Sequence, residues 1–200
     1  MSDTPPFVHL HVHTQYSLLD GAMKVGEMCA AAAADGQTAA AITDHGNLFG
    51  AVDFFLAAKK HGLKPIIGCE VYLAPTTLTD KRHQIGLPQT YHLVLLATNE
   101  IGYKNLLSLV STGYLEGFYY KPRIDKRVLA ERAEGLIGLS SCLGGEIPRL
   151  LRAGDLDGAR RAAAEYRQIL GEGNFYLELQ RHGLAEQEQV NQGLIALGAE

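Results

Sequence analysis

Three histidines alternate with aliphatic residues near the start of the chain, in Phe7-Val8-His9-Leu10-His11-Val12-His13. A period of two predicts a β-strand over residues 7–12, with Val8, Leu10 and Val12 on one face and the imidazoles on the other. Imidazoles on one face of a buried strand are costly unless something binds them. Two readings follow: an exposed edge strand with solvated histidines, or a divalent cation that takes neutral imidazoles as ligands. His9 is the weakest candidate of the three, suited to supporting a ligand or bonding backbone rather than to holding the ion.

Beyond this segment, short apolar runs alternate with amphipathic stretches, which predicts repeated βα units. Further strands are expected at 38–43, 64–73, 91–98, 135–140 and 175–180, and helices at 24–34, 50–61, 101–115, 125–132, 145–151, 155–170 and 186–197. Residues 75–90 follow neither period and read as a surface loop. A closed β/α barrel uses eight strands in roughly 250 residues. With about six strands in 200 residues, the expected fold class is α/β, a β/α barrel incomplete at its C-terminus. No repeat or low-complexity linker divides the chain, so one domain is expected over 7–200, behind a disordered tail at 1–6.

Composition narrows the setting. No apolar run approaches the roughly 20 residues of a membrane helix, and the polar start does not resemble a signal peptide. Cys29, Cys69 and Cys142 are odd in number, widely spaced and lack a CxxC pair. That argues against a disulfide framework or zinc ribbon and for a reducing cytoplasm. A net charge of -4 gives no global attraction to DNA, so any contact with nucleic acid must be local or assisted by other parts of a larger protein.

Other chemistry-bearing residues fall near predicted strand ends, where barrel folds gather their sites. Thr43-Asp44-His45-Gly46 follows the strand at 38–43. Glu70 lies among Ile66, Ile67 and Val71, and a carboxylate in so apolar a run needs a partner, either bridged cations or a basic neighbour. Cys142 follows the strand at 135–140; it reads as a thiolate ligand or as a small buried residue. Cys69 alternates with Glu70 and points away from it, into the core, and Cys29 reads as core too. In Tyr119-Tyr120-Lys121-Pro122-Arg123, Lys121 and Arg123 suit a phosphate beside a base-stacking ring, or ordinary loop packing.

The ordered series His11-x-His13-Thr14-x-x-Ser17, Thr43-Asp44-His45-Gly46 and Gly68-x-Glu70 resembles PHP (polymerase and histidinol phosphatase) domains. The stretches LLDGAMK, TDHGNLFGAVDFF, KPIIGCEVYLAP, EGFYYKPRID and LSSCLGGEIP are similar to the polymerase III alpha branch of that family, and the likeness runs from about Phe7 to Asn191.

The resemblance implies a distorted, PHP-type barrel with metal ligands at His11, His13, Asp20, His45, Glu70, His92 and Cys142. It implies divalent ions, zinc or manganese with magnesium as a further option, up to three in a complete domain. Glu70 and Asp44 would be catalytic, Asp44 by orienting His45 or carrying a proton. The implied reaction is phosphoester hydrolysis, of the 3′–5′ exonuclease type, within a DNA-directed DNA polymerase whose partners are DNA, a proofreading exonuclease and a sliding clamp.

Two positions sit awkwardly. His92 opens its predicted strand, the wrong end for a uniformly parallel barrel; either that strand begins elsewhere or the preceding loop folds over the mouth. A last Asp-x-His pair expected of the family does not occur between Phe175 and Glu200. Gln180-Arg181-His182 is not that motif, and His182 reads as a surface residue. The rival readings are a metal-stapled scaffold that docks replication subunits, a free-standing histidinol-phosphatase-like enzyme and an amidohydrolase-type barrel.

Overall fold

The computed structural model describes residues 7–82 and 85–200; the tail expected at 1–6 lies outside the described residues. Helices and strands alternate in the order α1 (Val25–Ala34), β1 (Ala39–Ile42), α2 (Ala51–Lys60), β2 (Lys64–Leu73), β3 (Tyr91–Ala97), α3 (Glu100–Leu115), β4 (Arg123–Ile124), α4 (Lys126–Glu131), β5 (Leu136–Leu139), α5 (Glu146–Arg152), α6 (Leu156–Leu170), β6 (Phe175–Tyr176) and α7 (Ala185–Gly198). Among the described residues the result is a mixed α/β fold with a six-stranded sheet, ordered β1-β2-β3-β5-β6 with β4 beside β2, that does not close into a barrel. Among the described residues no helix is long and apolar enough to cross a membrane.

β2 organises the sheet because it is the longest strand. One edge pairs in parallel with β1 at Lys64–Ile67, then bridges His45 at Glu70, then pairs in parallel with β4 at Tyr72–Leu73. The other edge pairs from Gly68 to Leu73 with β3, which is antiparallel both to β2 and to β5. Gly68 is required at this junction: a Cβ there would lie 2.6 Å from the Leu95 carbonyl oxygen and 3.0 Å from a Thr43 methyl.

The two faces of β2 have different tasks, as strand alternation dictates. Cys69, Val71 and Leu73 point into the main core, which α3 joins with Leu106 and Leu109, α4 with Leu129, α6 with Tyr166 and α7 with Val190. Cys29, Phe54 and Ile42 belong to a second cluster between α1, α2 and β1. The opposite face of the sheet carries Ile66, Glu70, His92, Leu96, Ile137 and Leu139 and lines a cleft of about 1300 Å³.

Three sequence expectations are corrected. Residues 7–12 form no strand: Val12 alone is tied to its neighbour, through Val12 O accepting from Thr43 N at 2.8 Å. A strand needs a partner, and among the described residues the backbone of 7–11 has none. β6 is two residues long rather than six, for the same reason, since only Gly138 and Leu139 pair with it. β4, equally short, was not expected because two residues show no period.

After β2, the segment around Leu78 and Asp80 is anchored by buried charges. Asp125 caps α4 by accepting from Val128 N at 2.9 Å and also accepts from Leu78 N at 3.0 Å. Arg123 donates to the carbonyls of Gly117, Leu78 and Asp80 at 3.1, 3.0 and 3.1 Å.

Gly68→Ala should destabilise the fold by about 1–3 kcal/mol, because the new methyl meets backbone that cannot step aside. Urea unfolding followed by circular dichroism measures this; a midpoint equal to that of the parent would contradict the close approach.

Candidate metal centre

Five segments deliver the site to one end of the sheet. His11 and His13 come from the extended segment before α1, His45 from the turn after β1, Glu70 from β2, His92 from β3 and Cys142 from the turn after β5. His92 reaches this end because β3 runs antiparallel to its neighbours, so its first residues lie beside the last residues of β2, with His92 opposite Tyr72. Neither a displaced boundary nor a folded-over loop is needed. His92 N also donates to Gly144 O at 3.1 Å, tying β3 to the turn that carries Cys142.

Glu70 is the hub. Its carboxylate, with 1% of the side chain exposed, lies 3.4 Å from His11 Nε2, 3.5 Å from His13 Nε2, 2.7 Å from His45 Nδ1 and 3.1 Å from His92 Nδ1. Ser141 Oγ donates to the same carboxylate. His11, His13 and Glu70 form one group able to hold a cation, and His45, Glu70 and His92 a second, the two sharing Glu70. Cys142 Sγ stands 3.7 Å from His92 Nδ1 and 3.8 Å from Glu70 Oε1. Asp20 Oδ2 reaches His45 Nε2 at 3.0 Å from a solvent-exposed position.

The donor set fits divalent cations. His45 Nδ1 and Glu70 Oε2 are buried and lie 2.7 Å apart as an ion pair, and His13 Nε2 stands 3.5 Å from the same oxygen. Four imidazoles converging on one buried carboxylate make two donor groups, each able to hold a cation. Imidazole, carboxylate and thiolate together suit a borderline transition-metal ion.

Charge in the cation-free cluster follows from the same geometry. Burial would raise the pKa of Glu70, but His11, His45 and His92 outweigh it and hold the carboxyl far below its ordinary range. Burial opposes charge on His11, yet Glu178 and Glu70 push it up to about 10. His92 is pushed up to about 9, where Cys142 and Glu70 overcome burial. His13 is lowered, first by burial and then by the neighbouring His45. Burial alone would raise the Cys142 thiol, but the hydrogen bond with His92 lowers it, toward the thiolate form a metal needs.

The other expected site residues separate clearly. Asp44 faces away from the cluster: it accepts from Thr14 N at 2.6 Å, Thr14 Oγ1 at 2.8 Å and Ser17 Oγ at 2.7 Å. Ser17 Oγ in turn accepts from His45 N at 3.1 Å and lies 3.0 Å from His13 Nδ1. Asp44 thus reaches His13 and the backbone of His45 through Ser17, the orienting arrangement of the two expected for it, and among the described residues no hydrogen bond joins it to a ring nitrogen of the cluster. Gly46, at φ +61, lets the chain turn under Tyr72 and Pro122.

His9 is exposed and packs edge-on against Phe7 at 4.8 Å, joined to no ligand by a hydrogen bond among the described residues. Arg123 is buried, with Nε and Nη2 donating to backbone carbonyls. Lys121 Nζ instead lies 4.2 Å over the ring of Tyr72, which stacks on His45 at 5.8 Å. His182 is exposed, its ring bonded to Gln187 at 2.9 Å.

Two residues at the site were missed. Ser141 holds a left-handed backbone, φ 64, uncommon for a side chain other than glycine, and sequence carries no sign of it. Glu178 lies 2.7 Å from His11 Nδ1. A carboxylate between Leu177 and Leu179 in an apolar strand pattern was the available signal, the same one that singled out Glu70.

Loading with zinc should release protons. Imidazoles bind cations only when neutral, and His11 and His92, at about 10 and about 9, are protonated near pH 7. Affinity should therefore rise with pH through this range and level off above about 10. Calorimetric titrations in buffers of different ionisation enthalpy read the release directly; a pH-independent affinity would contradict the assigned charges.

The family described as PHP domain matches residues 9–182. The chain is 50% identical over 200 residues to the DNA polymerase III subunit alpha of Borreliella burgdorferi, covering 100% of this chain and 17% of that protein. It is 50% identical over 191 residues to the subunit of the same name from Thermus aquaticus, covering 94% of this chain and 16% of the other. A Bifidobacterium adolescentis crystal structure, described as a metal-dependent phosphoesterase, superposes with a TM-score of 0.55 at 16% identity, covering 96% of this chain and 82% of that one. At that identity the likeness speaks for the fold alone. Since the match spans most of the chain and takes in both groups able to hold a cation, the chain belongs to the PHP domain family.

Proposed function

We propose that this domain is a metal-dependent phosphoesterase and forms the N-terminal part of a DNA polymerase III alpha subunit, where it hydrolyses the 3′ end of DNA. The observation that carries the reading is one buried carboxylate, Glu70, shared by two groups of ligand-type side chains. His11, His13 and Glu70 would hold one divalent cation, and His45, Glu70 and His92 another, with Asp20 and Cys142 beside the second. Zinc or manganese suits these donors best, and magnesium is the weaker alternative. Bound cations would supply Lewis-acid chemistry, polarising a phosphoryl group and making a water acidic enough to attack it near neutral pH.

The chain's own residues prepare that chemistry. Glu70, held ionised, remains an acceptor across the working pH range. The Asp44–Ser17 pair holds His13 by Nδ1 so that Nε2 faces Glu70. Lys121 carries no ion pair among the described residues, and its ammonium over Tyr72 stands one ring away from His45; it would hold a substrate phosphate at the edge of the cluster. The sheet reads as part of a distorted barrel over 7–200, with Ile66, Leu96 and Ile137 on the inner face that further strands of the full-length protein would close. The partners expected of that protein are DNA, a proofreading exonuclease and a sliding clamp.

Elemental analysis of chelator-treated, reloaded protein, paired with hydrolysis of 3′-labelled DNA, tests the proposal. The intact protein should bind zinc or manganese and cleave the label; the His11→Ala/His13→Ala variant should lose both. Cation without turnover in the parent would leave a structural site, and no cation at all would remove the ligand assignment. Lys121→Ala should keep its cations yet raise KM about tenfold, the loss of roughly 1.4 kcal/mol of binding; an unchanged KM would take Lys121 out of the substrate site.

A further inference from the structure

An imidazole that binds a cation through one nitrogen is set by whatever holds the other. For His13 that partner is Ser17, within the motif that also holds Asp44. His11 is turned the opposite way. Its Nδ1 lies 2.7 Å from Glu178 Oε1, while its Nε2 faces His13 Nε2 at 3.1 Å and Glu70 Oε1 at 3.4 Å. The ring therefore stands between the two carboxylates, with Glu178 behind it and Glu70 in front.

Glu178 is itself built in. It follows β6 directly, its backbone N donates to Ser140 Oγ at 2.8 Å, and Gln180 Nε2 donates to the same Oε1 at 2.6 Å. The side chain is 12% exposed, and its Oε2 is buried without a hydrogen-bond partner. No sheet pairing explains a carboxylate here, because β6 has already ended at Tyr176. Its contacts within the cleft are His11 and Gln180.

We propose that Glu178 is the positioning residue of His11: its carboxylate accepts the Nδ1–H, fixes that tautomer and presents a bare Nε2 toward Glu70. The inference rests on the reading of His11 as a cation ligand. A carboxylate behind a ligand imidazole orients the ring and makes it more basic, and its loss typically weakens cation binding by roughly 10- to 100-fold. Through β6 and Ser140, Glu178 also couples the first histidine motif to the far side of the sheet, over a separation of 167 residues.

The test is zinc affinity by chelator competition, with zinc content by elemental analysis, in the intact protein and its Glu178→Ala and Glu178→Gln variants. Glu178→Ala should weaken zinc roughly 10- to 100-fold with the content at saturation unchanged. Glu178→Gln should recover part of that loss, since its amide oxygen still accepts the Nδ1–H without the charge. Unchanged affinity in both variants would overturn the proposal, and so would loss of a whole zinc equivalent in Glu178→Gln, which would make Glu178 a ligand. Should Glu178→Ala fail to fold, judged by its cation-free melting curve, Glu178→Gln decides alone: a several-fold loss supports the role and parent-like affinity refutes it. His11→Ala is the separate control, for if it left zinc content and affinity untouched, the ligand reading of His11 would fall whatever Glu178 does.

Discussion

A single buried carboxylate sets the terms for this end of the molecule. Glu70 sits in the middle of the longest strand, fully inside the protein, where an unpaired charge is prohibitive. Everything nearby answers that charge. Four imidazoles arrive from three separate segments besides its own strand, and Ser141 donates from a fourth. Ser141 holds a backbone conformation costing on the order of 1–3 kcal/mol to do so. Such strain persists only where the surroundings over-determine it, and here the parallel pairing of β5 with β6 and the bond from Glu178 N to Ser140 fix the turn on its N-terminal side.

The direction of β3 is the second constraint. In a purely parallel sheet, residues at strand starts and strand ends lie at opposite edges, and His92 could not meet Glu70. Reversing one central strand removes the difficulty: Val94 lies opposite both Glu70 and Leu139, and His92 comes to the same edge as the ends of β2 and β5. The connection at 74–90 allows the reversal, because antiparallel neighbours need no crossover helix. Leu78 anchors that connection from inside, donating to Asp125 and accepting from Arg123.

Much of this was legible in the chain itself, and the limits have physical causes. The helices and the longer strands follow local periodicity, so α3, α4, α6, α7 and β2 fall within a residue or two of expectation. Strand direction and strand partnership are not local properties. That is why His92 looked misplaced and why residues 7–12 looked like a strand although, among the described residues, only Val12 bonds to a neighbouring segment. Alternation placed Cys69 away from the cleft, but it failed over 7–12, where Val8 and Leu10 line the same cleft as His11 and His13. Glu70 was readable because a charge in an apolar run has few explanations. Ser141 was not, since its part depends on a backbone angle no residue type announces.

The buried charges of this domain divide by how completely their hydrogen bonds are used. Asp125 caps a helix and holds Leu78, and Arg123 spends its donors on three carbonyls. Asp44 has both oxygens engaged by Thr14 and Ser17. These groups are satisfied by their own surroundings and serve as internal fasteners. Glu70, by contrast, is answered by four imidazoles that are themselves ligand-type groups, Glu178 keeps one buried oxygen without a hydrogen-bond partner, and both of those carboxylates touch His11. A scaffold that satisfies its other buried carboxylates with hydroxyls and amides has no structural need for such a cluster of imidazoles. The contrast separates residues that hold the scaffold from those gathered around Glu70, and Asp44 stands at the border, satisfied by Thr14 and Ser17 yet linked through Ser17 to His13 and His45.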